Sequence, residues 1–103
     1  MGVGTQKAVK LIVSIIGEHP KIAGPFLAGS EMSLHPEQNG YLAINTISDN
    51  GVEVTLCKKN HPDMKVMLDD KSSLDLYDHA HRKVASIWLH EIGTVTPVDV
   101  GQN

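Results

Sequence analysis

The chain has 103 residues, enough for one domain with its own core and too few for two. Apolar residues make up 41% and charged residues 20%, and the net charge is −3 with nine basic side chains spread along the sequence, which argues against nucleic-acid and membrane-surface binding because both need a concentrated basic face. Cys57 is the one cysteine, so an internal disulfide is excluded and a reducing, cytoplasmic setting is expected.

Residues 5–18 predict an amphipathic helix. Ala8, Val9, Leu11, Ile12, Val13, Ile15 and Ile16 fall on one broad face at helical spacing, with Lys7, Lys10, Ser14 and Glu18 opposite. Thr5 supplies an N-cap, and Gly17 with Pro20 supplies a stop. The apolar run 11–16 is interrupted by Ser14 and is too short to span a bilayer. Residues 24–30 form an apolar connection punctuated by Gly24, Pro25 and Gly29. Its glycine spacing matches a phosphate-binding loop, but the phosphate-reaching lysine is missing and Pro25 removes a backbone donor. Residues 32–35 predict a short strand.

Three antiparallel strands follow, over residues 41–48, 52–58 and 64–68. Asp49, Asn50 and Gly51 give a hairpin signal. A three-residue loop with Gly51 in the left-handed region pairs Thr46 with Val54, Ile44 with Leu56 and Leu42 with Lys58. That register gathers Leu42, Ile44, Val52, Val54 and Leu56 on one face. The opposite face carries Tyr41, Ala43, Ile47, Cys57 and Met67, more apolar than a fully solvated face should be.

Residues 72–92 predict a second helix. Ser72 and Asp75 match a capping box, and Asp69, Asp70, Asp75 and Asp78 crowd the positive end of its dipole. Leu76, Tyr77, Ala80, Val84, Ile87 and Trp88 form its buried stripe, with Trp88 as the anchor against the sheet. Gly93 stops it. Residues 94–103 are expected as a flexible tail or an edge strand.

The expected fold is therefore α+β: an N-terminal helix, a three- or four-stranded antiparallel sheet and a C-terminal helix. Both helices pack on one sheet face, in a single domain over residues 1–103. Double-stranded-RNA-binding domains share this element order, but they grip phosphate at the start of the second helix. Asp69, Asp70 and Asp75 stand there in this chain.

No complete catalytic set, metal site or cofactor motif emerges. His79 and His81 point apart on a helix, and His90 with Glu91 lacks a second histidine one turn on. The helical wheel places His81 between Tyr77 and Trp88, near Glu91, with Phe26 on the apolar connection above. These five are the candidate ligand-binding residues, in an apolar pocket with a polar boundary. Tyr41, Ala43, Ile47, Cys57 and Met67 are the candidate interface. The expectation is a non-enzymatic interaction module that self-associates through this semi-apolar sheet face. The alternative is a small-molecule binder or small enzyme with its pocket around His81.

Overall fold

A computed structural model describes residues 4–34 and 40–96, and among these every regular element is a strand. In chain order they are β1 (Gln6–Ile15), β2 (Lys21–Phe26), β3 (Glu31–Ser33), β4 (Gly40–Ile47), β5 (Val52–Lys58), β6 (Met64–Leu68), β7 (Ser73–Tyr77) and β8 (Lys83–Val95). They form two four-stranded sheets, β2-β1-β8-β7 and β3-β4-β5-β6, and every pairing is antiparallel. Within each sheet, strands consecutive in sequence are paired. The chain changes sheet twice, between β2 and β3 and between β6 and β7, and β8 returns to pair with β1. The result is a flattened meander with two unpaired seams.

Both expected helices are corrected to strands. Residues 5–18 hold β1, in which Val9, Leu11, Val13 and Ile15 alternate inward at period two. The helical signal came from the other face, where Ala8, Ile12 and Ile16 recur every four residues and complete a false 3.6 pattern. β1 is the neighbour of both β2 and β8, and its β-branched residues suit that place. Residues 72–92 hold β7, a turn and the first part of β8, with Leu74, Leu76, Ala85, Ile87 and Leu89 facing inward. The supposed cap has another role. Ser72 donates to the Asp69 carboxylate at 3.1 Å, within the turn between β6 and β7. Gly93 and Thr94 continue β8 opposite Ala8 and Lys7, so β8 is an interior strand rather than an edge. The rest of the expected tail, from Pro97 on, lies outside the described residues, as does His35 of the expected short strand.

The middle strands stand as read, with β5 and β6 over the expected residues. The hairpin register differs by two. Ile44 pairs with Val54 and Leu42 with Leu56, then an irregularity at Asn45 brings Ile47 opposite Val52. A shift of two preserves faces, so Leu42, Ile44, Val52, Val54 and Leu56 are all buried. Ser48 donates its amide to the Gly51 carbonyl at 2.9 Å, which leaves Asp49 and Asn50 at the corner. Gly51 is needed for proximity rather than for a left-handed φ: a Cβ there would sit 2.7 Å from the Leu68 carbonyl oxygen of β6.

The core draws on both sheets. Val9, Leu11, Leu42, Ile44, Val52, Val54, Leu68 and Ile87 are the largest fully buried side chains. The turns 27–30, 48–51 and 69–72 lie at one end of the sandwich, and the turns 16–20, 59–63 and 78–82 at the other.

Candidate functional site

The end that carries the turns 16–20, 59–63 and 78–82 is not filled. Leu76 of β7 borders two cavities between the sheets there. One, about 450 Å³, opens at the β6/β7 seam between Leu56, Pro62, Met64, Leu76 and Tyr77, with Lys58, His61 and Asp63 at its rim. The other, about 270 Å³, opens at the β2/β3 seam among Val13, Ile15, Met32, Leu34 and Ala85, with Lys21 at its mouth. Both exist because no ladder of hydrogen bonds draws the seam strands together.

The outer face of the β2-β1-β8-β7 sheet carries an apolar row. Register aligns Ile22, Ile12, Trp88 and Ser73 across the four strands. The next row holds Ser14, Ser86 and Asp75, where the Ser86 hydroxyl donates to the Asp75 carboxylate at 2.8 Å. Ile22 is 58% exposed and Trp88 38%. The outer face of the other sheet is more polar at its centre, with Glu53 opposite Met67 and Thr55 opposite Lys65. Asn45 donates to the Thr55 hydroxyl there at 2.6 Å. Tyr41 pairs with Cys57. The neighbouring Cys57 thiol is the first cause that raises the Tyr41 phenol above its ordinary pKa, and the Glu31 carboxylate adds to it.

The residues proposed for a ligand site do not converge. His81 occupies the β7–β8 turn in the left-handed region, at φ 64°, and is exposed. Its expected address between Tyr77 and Trp88 depended on a helix that is absent. Tyr77 borders the larger cavity. Trp88 stands on the outer face and is not the core anchor. Glu91 is exposed near the far end of β8, with its carboxylate 3.8 Å from the His90 imidazole. Phe26 packs against the core from β2. Of the expected interface, Tyr41, Ala43, Cys57 and Met67 do share the outer face of the β3-β4-β5-β6 sheet. Ile47 does not: the irregularity at Asn45 turns it inward against the core. Sequence reasoning missed Ile12 and Ile22 as surface residues and Lys21 as a mouth residue. The period-two run Val9, Leu11, Val13, Ile15 was the signal that would have placed all three.

Among the described residues no group of three or more His, Cys, Asp or Glu side chains is gathered as a metal ion would need. Among the same residues no helix is long and apolar enough to cross a membrane. Comparison with family models, with curated proteins and with solved structures finds no match to this chain.

Proposed function

We propose that this protein is a non-enzymatic interaction module that self-associates through the outer face of the β2-β1-β8-β7 sheet. The observation that carries the reading is the row Ile22, Ile12 and Trp88. It is apolar, partly exposed and continuous across three strands. An isologous interface brings like groups near one another across a twofold axis, so an uncharged centre suits it. This row meets that condition, whereas the opposite outer face has Glu53 and Lys65 at its centre. A cytoplasmic setting belongs to the same proposal and rests on the unpaired thiol of Cys57.

Trp88 is the one tryptophan in the chain, so its emission reports the interface directly. At roughly 50 μM, where a micromolar Kd populates the dimer, light scattering should give twice the monomer mass. Dilution should move the Trp88 emission to the red. Ile12→Lys should yield a folded monomer with red-shifted emission at all concentrations. A parent protein that scatters as a monomer at that concentration overturns the reading.

A further inference from the structure

The 270 Å³ cavity at the β2/β3 seam has a chemistry of its own, independent of the outer face. Its walls are Val13 and Ile15 of β1, Ala85 of β8, Leu76 of β7, and Met32 and Leu34 from the facing sheet. Among the described residues Lys21 is the one ionisable residue that lines it. Lys21 pairs with Val13, whose side chain packs on the core, so the lysine shares the inward side of its strand. Among the described residues its ammonium has one loose contact, 3.8 Å to Glu18, and the Lys21 side chain is 73% exposed and that of Glu18 43%. Such a pair is weak and is readily exchanged for a better anion. The larger cavity differs, because Asp63 and Asp75 line it together with Lys58.

An apolar hollow with a cation at its lip favours an occupant with an apolar body and an anionic end. The hydrocarbon regains the dispersion contacts that the unfilled walls lack. The head stays at the boundary, where Lys21 can reach both the cavity and solvent. If a methylene takes about the volume of a water, ~30 Å³, a cavity of 270 Å³ holds a chain of roughly eight to ten carbons.

We propose that the β2/β3 cavity binds a medium-chain carboxylate, its hydrocarbon chain between β1, β8 and β3 and its carboxylate on Lys21. The test titrates methyl-labelled protein with octanoate, octanol and octyltrimethylammonium and follows the Ile15, Leu34 and Ile87 methyl signals. Octanoate should saturate these shifts with an affinity about tenfold above that of octanol. Lys21→Glu, a change at an exposed edge position, should remove that preference and leave octanol binding unchanged. Ala23→Phe should block both ligands, and Lys21→Ala serves as the milder variant should Lys21→Glu fold poorly. Equal affinity for octanol and octanoate overturns the proposal, as does a preference for the cationic amphiphile. So do shifts confined to Leu56 and Met64 or to Ile12, and so does the absence of saturable binding.

Discussion

Val9, Leu11, Val52 and Leu68 lie fully buried toward the end of the sandwich that carries the turns 27–30, 48–51 and 69–72. A few residues along the same strands, toward the other end, Val13 and Ile15 are only partly buried and Met64 is 47% exposed. The alternation of apolar residues is the same at both ends, so hydrophobicity does not distinguish them. Backbone approach does. At the closed end Gly51 lets the β4–β5 turn lie against the Leu68 carbonyl, and Gly24, at φ 108°, lets β2 lie against the Val9 carbonyl. Lys7 and Asp49 pair across the two sheets at 3.1 Å, a surface contact of small weight. At the open end the close approach is that of Gly40 to the Cys57 carbonyl of β5, between two interior strands of one sheet, so among the described residues it draws in no strand that borders a seam, and the two cavities lie there. The closed end has a hollow too, about 520 Å³ over Asp49, Asn50, Asp69, Asp70 and Lys71, but polar residues dominate its lining, whereas the two apolar cavities lie at the open end.

The sharpest way to break this comparison is to truncate one side chain at each end. Leu11→Ala removes a fully buried side chain from a filled region and should cost about 2–5 kcal/mol. Met64→Ala removes one that is half in water beside an existing cavity and should cost under about 1 kcal/mol. Urea denaturation of both variants measures the difference. Equal costs would mean that the open end is filled in solution.

Much of the β4–β5 face was legible in the sequence. Leu42, Ile44, Val52, Val54 and Leu56 alternate without competition from their outward neighbours, so their common face was readable even with the register off by two. β1 and β8 were not legible as strands. Each has a partner on both sides and carries apolar residues on both faces, and this blurs the period of two that identifies a half-buried strand. The aspartates misled for a chemical reason. A carboxylate that accepts amide hydrogen bonds two residues ahead caps a turn as readily as a helix, and Asp69 and Asp78 do the former. The candidate ligand site was lost with the helix that defined it. The seams that make the cavities depend on where the chain changes sheet, which no local pattern encodes.

A smaller effect is expected from filling the gap at Gly24. A Cβ there would sit 2.7 Å from the Val9 carbonyl oxygen, in a φ region that L side chains rarely adopt. Gly24→Ala should therefore cost about 1–3 kcal/mol and part β2 from β1. Amide exchange should quicken at Ala23 and Phe26 and stay slow at Val54 and Leu56. Uniform quickening across both sheets would show that the β1–β2 pairing has no local role in closing this end.

The smallest expected effect compares the same turn device at the two ends. At the open end Asp78 accepts the Ala80 and Arg82 amides at 2.8 and 3.0 Å and the Arg82 guanidinium at 3.0 Å. The Arg82 amide bond is the first cause that lowers the Asp78 pKa; burial opposes it, and the Ala80 amide and the Arg82 charge lower it further. At the closed end Asp69 is lowered first by the Lys71 amide, at 2.9 Å, and then by Ser72. A carboxyl whose folded pKa lies below its unfolded value, about 3.9, adds stability above that value and loses it as pH falls toward and through the folded pKa. Asp78→Asn and Asp69→Asn should therefore each lower Tm slightly near neutral pH, and each gap should close as pH falls below about 4. The two should part in exchange kinetics. Asp78 ties the turn between Tyr77 and Lys83, beside the larger cavity, so its loss should quicken exchange at the β7–β8 turn. Asp69 sits beside Leu68, which is fully buried, so its loss should leave the neighbouring amides of β6 protected. Equal exchange at both turns, or a Tm gap that widens in acid, would contradict the division between a packed end and an open one.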